Sequence, residues 1–363
     1  MLTLLALLPA LSQAPAGPTY HLYAAAESSD QVYQLRFDGA AFETVHVVDI
    51  GYQATEIEGP HGMTVDPSGE HWYVSVAHGK PNGLLYKYRT GTDELVGEVE
   101  LGLYPASMQI SRDTGFLYCV NFDLHGDMQP SSVSIVDVDA MVEVARTTTG
   151  PMPHGSRISP DGRRQYSCAM MSDELIELDT ATFEVTRRLR VDDGSGAVGR
   201  APRGGHGASA KPTWVQPHPT KPLVYVALNG AHQIVEVDLE AWKVSRRFPT
   251  GRAPYNVDVT PDGTRLVATY KGARAVGVID LKSGNELARI ETTRRVPHGV
   301  VIAPDGRFAF VTNEGVGGES GTVDALDLKA LERAASVEIG LQAGGIALWK
   351  VQPAALPAVG NER

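Results

Sequence analysis

Three histidines occupy the same place in three copies of a repeated phrase. His61, His154 and His298 each follow a proline and precede a glycine, in the segments GPHG, MPHG and VPHG. Imidazole nitrogens bind zinc and copper, and three such ligands leave a fourth coordination position open for exchange or catalysis. If the fold brings the three copies together, we expect a copper or zinc site. The alternative is that each pair serves only as a tight turn at the start of a strand.

The phrase belongs to a longer repeat that covers most of the chain. The proline of each copy, or its equivalent, lies at Pro60, Pro105, Pro153, Pro212, Pro254, Pro297 and Ala343. The spacings of 45, 48, 59, 42, 43 and 46 residues suit four short strands per unit, as in the blades of a β-propeller. In most units a first strand, a Pro-Asp-Gly type turn and a β-rich second strand follow the proline. A third strand ending in Asp and a polar outer strand complete the unit.

The two ends of the repeat predict the number of blades. Residues 20–37, YHLYAAAESSDQVYQLRF, match a second and a third strand, whereas GGIALWKV at 344–351 matches a first strand. The last strand therefore completes the first blade. We predict an all-β fold: a seven-bladed β-propeller of four-stranded antiparallel blades over residues 17–350, with the ring closed by the C-terminal strand.

The segment FVTNEG at 310–315, with its preceding APDG turn, resembles the YVTN-type β-propeller repeat. The superfamily of that repeat includes the N-terminal propeller of nitrous oxide reductase and the haem d1 propeller of cytochrome cd1 nitrite reductase. The resemblance covers nearly the whole mature chain and implies the fold. It transfers neither activity, because one propeller hosts many chemistries. Nitrous oxide reductase also needs a separate copper-binding domain, and a single histidine on one face does not make a haem d1 site.

The predicted strand order places seven histidines on one face of the disc, which we call the top face. It carries the loops that enter first strands and those between second and third strands; its histidines are His61, His154, His298, His78, His125, His206 and His232. All seven are candidate metal ligands. We expect the first three to converge at a wet channel mouth, and the other four to lie farther out. His71 and His218 fall on the opposite face.

Three other residues are candidates for contact with a bound ligand. Thr213 and Tyr255 occupy the histidine register in two further blades, and Asn256 follows Tyr255. The alternative for them is that they line a wet channel. The loop at 192–212, which contains His206, is either a lid over the channel mouth or a disordered excursion.

Sequence motifs, cysteine content and net charge argue against several cofactors and partners. The GSGAVG segment within that loop lacks a following helix, so no dinucleotide site is expected. Cys119 and Cys168 are the only cysteines, and no C-x-x-C-H motif for covalent haem exists. A net charge of −11 argues against nucleic-acid binding. We expect a monomer without a membrane span. We expect a small ligand or a metal at the channel mouth, and the top face is the candidate surface for a protein partner.

The ends of the chain predict its location. Residues 1–16, an apolar run followed by Ala-Pro-Ala, are typical of a signal peptide, so we expect a periplasmic or secreted protein. Residues 351–363 are expected to be a disordered tail.

Three functions remain open from the sequence alone. The first is an exported propeller that binds a metal ion, or a metal-containing or anionic small ligand, at the top of its channel in a redox-linked or accessory role. The second is a metal-dependent hydrolase of the propeller-lactonase kind, whose sites usually rely on oxygen ligands. The third is a protein-interaction scaffold. Whether the chain is an enzyme is left open.

Overall fold

The computed structural model describes residues 17–53, 55–78, 83–192 and 210–354. In these ranges, 28 strands form seven four-stranded antiparallel sheets. A single 3₁₀ turn, Glu27–Ser29, is the helical element of the described chain. The all-β, seven-bladed propeller predicted from the repeat is confirmed.

Each blade runs from an inner strand at the axis to an outer strand at the rim. Blade 1 contains β28 (Ala343–Gln352), β1 (Thr19–Ala26), β2 (Gln31–Phe37) and β3 (Phe42–Asp49). Blade 2 contains β4 (Pro60–Val65), β5 (His71–Val76), β6 (Leu84–Arg89) and β7 (Leu95–Glu100). Blade 3 contains β8 (Pro105–Ile110), β9 (Phe116–Asn121), β10 (Pro130–Asp137) and β11 (Val142–Pro151). Blade 4 contains β12 (Pro153–Ile158), β13 (Arg164–Ala169), β14 (Glu174–Asp179) and β15 (Val185–Arg190).

The remaining blades follow the same order. Blade 5 contains β16 (Pro212–Pro217), β17 (Leu223–Leu228), β18 (Gln233–Asp238) and β19 (Lys243–Pro249). Blade 6 contains β20 (Pro254–Val259), β21 (Arg265–Tyr270), β22 (Ala275–Asp280) and β23 (Glu286–Glu291). Blade 7 contains β24 (Pro297–Ile302), β25 (Phe308–Asn313), β26 (Ser320–Asp327) and β27 (Glu332–Leu341).

The last strand closes the ring as the sequence predicts. β28 pairs antiparallel with β1, with Tyr20 opposite Val351 and Leu22 opposite Leu348. Its side chains alternate between two hydrophobic clusters: Leu348 packs against the cluster shared with blade 7, and Trp349 against the one shared with blade 2. The strand runs to Gln352, two residues beyond the boundary set at residue 350.

The core lies between neighbouring blades, because each sheet buries both faces. Tyr20 of blade 1 packs edge-on against Phe308 of blade 7, with ring centroids 5.4 Å apart. Tyr23 of blade 1 stacks on Trp72 of blade 2 at 5.0 Å. Asp93 accepts hydrogen bonds from both, at 3.1 Å from Tyr23 Oη and 3.0 Å from Trp72 Nε1. These contacts hold the inner strands at fixed positions around the axis.

Some predicted features lie outside the described residues. They are the signal peptide at 1–16, most of the loop at 192–212 with His206, and residues 355–363 of the tail. Across the described ranges, no helix has the length and apolar character needed to cross a bilayer. Cys119 and Cys168 are buried and free, and burial raises the pKa of both thiols.

Candidate metal centre

The three inner strands that carry the histidines begin with the same backbone conformation. The residue before each strand adopts a left-handed conformation, with φ of 70° at Gly59, 51° at Met152 and 62° at Val296. A bulge follows directly, for example between Pro60 and Met63. A bulge re-aims the side chains beside it. The side chain at the next position, which is histidine in blades 2, 4 and 7, lies at the axis.

The three blades bring the three histidines into one group. One imidazole nitrogen from each of His61, His154 and His298 lies within 4.8 Å of the other two. Ring centroids are 5.7 Å apart for His61–His298, 6.1 Å for His61–His154 and 6.5 Å for His154–His298. A tetrahedral ion with metal–nitrogen distances of about 2.0–2.1 Å would hold its ligands about 3.4 Å apart. Modest side-chain rotation from the observed positions therefore suffices to bind a single ion.

Hydrogen bonds determine which nitrogen of two of these rings is available. His61 Nδ1 lies 2.8 Å from Glu27 Oε2, and His154 Nδ1 lies 3.1 Å from the carbonyl oxygen of Thr213. Both oxygens are acceptors, so each Nδ1 donates and each Nε2 carries the lone pair. Partners of this kind are what metal-bound histidines use to fix ring orientation. The two imidazoles are therefore prepared as Nε2 ligands.

His298 carries an unsatisfied buried nitrogen. Its Nδ1 has no hydrogen-bond partner in the described chain, and its Nε2 lies 3.8 Å from Glu314 Oε1. Leaving such a group unpaired costs about 1–3 kcal/mol. Burial also lowers the pKa of His298 well below 6.5 and that of His154 to about 3. Neutral imidazoles have the protonation state that a metal ion requires.

The site is drier than the sequence predicts. Solvent reaches 8% of His61, 1% of His154 and 6% of His298, whereas a wet channel mouth was expected. Aromatic rings cover the group: Tyr104 packs 5.5 Å from His61 and Phe122 4.8 Å from His154. The expectation of a wet mouth was wrong, because side chains of blade 3 lean over the axis.

Glu27 is the main residue that the sequence reasoning missed. It follows β1 in the 3₁₀ turn, is 2% exposed, and accepts hydrogen bonds from His61, from Tyr104 Oη at 2.8 Å and from His78 Nε2 at 3.1 Å. Burial favours its protonated form, but the interactions with His61, His78 and Tyr104 prevail and lower the pKa of Glu27. Glu27 lies in a loop between a second and a third strand, and the sequence analysis assigned such loops to the top face. The same assignment, applied to acidic residues as well as to histidines, would have identified Glu27.

Glu314 and Lys271 add a charged pair beside the group. Lys271 Nζ lies 2.7 Å from Glu314 Oε1 and 3.8 Å from the centroid of the Tyr255 ring. Both residues follow second strands, as Glu27 does. The carboxylate nearest to His298 is thus already neutralised by a lysine.

The three candidate ligand-contact residues have different roles. Tyr255 belongs to the site, since its hydroxyl lies 2.7 Å from His154 Nε2. The Thr213 hydroxyl instead donates to the Tyr255 carbonyl at 2.8 Å and so joins blades 5 and 6. Asn256 lines the cavity beneath the histidines, and its Oδ1 is buried without a partner in the described chain.

Three of the remaining top-face histidines, His78, His125 and His232, do not join the group, and His206 lies outside the described residues. His78 is hydrogen-bonded to Glu27. His125 is exposed, and its ring centroid lies 6.0 Å from that of His78. His232 is exposed and accepts a hydrogen bond from the Ala253 amide at 3.1 Å. The structure therefore brings together three of the seven predicted ligands.

Comparison with known proteins supports the fold and goes no further. No family model matches the chain, and no curated protein matches its sequence. Among solved structures, the chain is similar to Kuenenia stuttgartiensis hydrazine synthase, with a TM-score of 0.61 and 20% identity. The match covers 78% of this chain and 80% of that one. At this identity the similarity concerns the architecture alone.

Proposed function

We propose that this propeller binds one transition-metal ion, copper or zinc, through His61, His154 and His298. The observation that carries the proposal is the convergence of three buried nitrogens within 4.8 Å. The donor set fits the ion, because imidazole ligands suit zinc and copper, and no carboxylate belongs to the group. Three ligands leave a coordination position for an exchangeable group.

The surrounding residues support binding at a fixed geometry. Glu27 and the Thr213 carbonyl orient two rings through Nδ1. When bound, the ion would supply Lewis acidity or, as copper, one-electron chemistry. The chain contributes the orientation of the ligands and the exclusion of bulk water. This matches a redox-linked or accessory role better than a lactonase-type hydrolase, whose sites usually rely on oxygen ligands.

Export and family membership form part of the same proposal. The apolar segment at 1–16 supports a periplasmic or secreted protein, in which copper or zinc would be acquired outside the cytoplasm. The FVTNEG segment and the regular blades support placing the chain with the YVTN-type propellers.

The test is a metal titration of the metal-free protein with copper and zinc, followed by calorimetry. We expect one ion per chain and a melting temperature that rises with metal concentration, because only the folded state assembles the site. His298→Ala should abolish saturable binding. His71→Ala is the matched control, since His71 also pairs with a carboxylate, Asp66, at 3.0 Å but belongs to no histidine group among the described residues. Unchanged binding in His298→Ala would reject the site and favour the scaffold function.

A further inference from the structure

A small cavity lies on the axis directly beneath the three histidines. Its volume is about 40 Å³, and its lining includes His61, His154, His298, Arg157, Trp214 and Asn256. We call this cavity the waist. A buried water needs roughly 10–15 Å³, so the waist has space for about three waters or one molecule of three to four heavy atoms.

Arg157 brings a positive charge into the waist without a direct counter-ion. Its guanidinium stacks 4.5 Å from the Trp214 ring centroid, and Nη1 donates to the Ser156 carbonyl at 2.8 Å. Within the described ranges, Arg157 forms no ion pair with a carboxylate oxygen within 4.0 Å, although the more distant charge of Asp258 acts on it. Burial lowers the pKa of Arg157 to about 10, which still leaves the group charged at neutral pH. Arg157 is half-buried, and a guanidinium held in the channel without an adjacent carboxylate favours the binding of an anion.

Two other lining residues have unpaired polar atoms. Trp214 is 6% exposed and Asn256 is 3% exposed. In the described part of the chain, neither Trp214 Nε1 nor Asn256 Oδ1 makes a hydrogen bond. The indole can only donate, and the amide of Asn256 can turn to present its NH₂ group. Buried polar groups are normally satisfied, so these two side chains favour a polar ligand in the waist.

We propose that the waist binds a small monovalent oxoanion or carboxylate, with Arg157 and Trp214 Nε1 as its hydrogen-bond donors. A guanidinium can give two parallel N–H bonds to one pair of oxygens, which suits a planar anion. The anion would satisfy the unpaired indole and compensate the arginine. The three histidines form part of the lining of the waist, but the proposed donors are not metal ligands, so anion binding does not require the metal ion.

The route to the waist is the lower half of the channel. A second cavity of about 510 Å³ lies there and shares Met63, Met108, Arg157, Val300 and Ile346 with the waist. On the top side, the aromatic rings over the histidines close the channel in the described structure. Asp258 lines the lower cavity, and its negative charge favours passage of a monoanion over a multiply charged species. The lower face is therefore the expected entrance.

Isothermal titration of metal-free protein with formate and with nitrite tests this inference. We expect saturable binding of at least one; formate alone points to an organic carboxylate, and nitrite alone or both point to an oxoanion site. Trp214→Phe keeps an aromatic ring beside Arg157 and removes the Nε1 donor to a charged group, so affinity should fall about 10-fold. Arg157→Gln should reduce it about 10–100-fold.

Arg163→Gln is the matched control, because it removes the same charge from an exposed position of the same blade. It should bind like the parent protein. If Arg157→Gln does not fold, Trp214→Phe decides, since Nε1 has no protein partner to lose among the described residues. Absence of binding by both anions, or affinity unchanged in Trp214→Phe and in folded Arg157→Gln, would overturn the proposal. Because the protein is metal-free, these outcomes are independent of whether the three histidines bind metal.

Discussion

Glu27 Oε2 lies 2.8 Å from His61 Nδ1, and both side chains are almost completely buried. The contact joins blade 1 to blade 2 and leaves His61 Nε2 with its lone pair directed away from the carboxylate. Glu27 does not contact Nε2, the nitrogen that would bind the metal, but it can still affect metal affinity because it orients the His61 ring.

Replacing Glu27 should therefore weaken metal binding while leaving the three histidines in place. Loss of a carboxylate that supports a metal-bound histidine typically costs about 10–100-fold in affinity. We expect a fall of that size for Glu27→Ala in a competition titration with a chelator. Glu27→Gln should be milder, because its amide oxygen still accepts from Nδ1. Asp66→Asn, which alters the His71 pair, should leave metal affinity unchanged; equal affinity in Glu27→Ala and the parent would contradict the account.

Tyr255→Phe should increase the affinity for the metal and lower the stability of the metal-free protein. The hydroxyl lies 2.7 Å from His154 Nε2 and must release that nitrogen before it binds a metal. Removing the hydroxyl costs the metal-free protein about 1 kcal/mol of stability. Thermal unfolding and metal titration of the same variant measure both effects. Weaker metal binding would instead show that the tyrosine itself is a ligand.

Asp258 gives a pH dependence with a defined sign. Burial raises its pKa from 3.8 to about 6, so the folded protein binds this proton more tightly than the unfolded chain does. Its contribution to the free energy of unfolding is therefore fully present below about pH 4 and is lost as the pH rises through about 6. Relative to Asp258→Asn, the parent should lose about 1–2 kcal/mol between pH 4 and pH 7, after allowance for water in the channel. Chemical unfolding at four pH values measures the difference; a parallel pair of curves would contradict it.

Removal of the last strand should open the ring. Truncation after Gly340 deletes β28, which pairs with β1 along seven residue pairs and carries Trp349 into the core. We expect loss of cooperative melting at the parent temperature. Truncation after Ala354 keeps β28 and serves as the control, with melting like that of the parent. A Gly340 truncation that still melts at the parent temperature would contradict ring closure.

The fold and the three-histidine group could be predicted because both depend on register. The spacing of the prolines gives the blades, and the equivalent positions of His61, His154 and His298 place them at the same height on the axis. The direction of a side chain beside a bulge is harder to predict. Thr213 shares the histidine register, yet its hydroxyl binds the next blade instead of a ligand.

The features that were missed depend on contacts between distant parts of the chain. Tyr104 and Glu27 are 77 residues apart, and their hydrogen bond belongs to the cover that buries the histidines. The charge of Arg157 in the channel likewise depends on which strand residues face the axis. No local pattern reports such contacts, although a survey of charged residues in the loops of the top face would have identified Glu27, Lys271 and Glu314.

The most direct measurement is anomalous diffraction from crystals of the protein soaked in copper or zinc, recorded at the absorption edge of the metal. We predict one strong anomalous peak on the axis, about 2.0–2.1 Å from one nitrogen of each of His61, His154 and His298. The peak should vanish in His298→Ala and persist in His71→Ala. A peak bound elsewhere, or none among the three imidazoles at full soaking concentration, would contradict the metal centre.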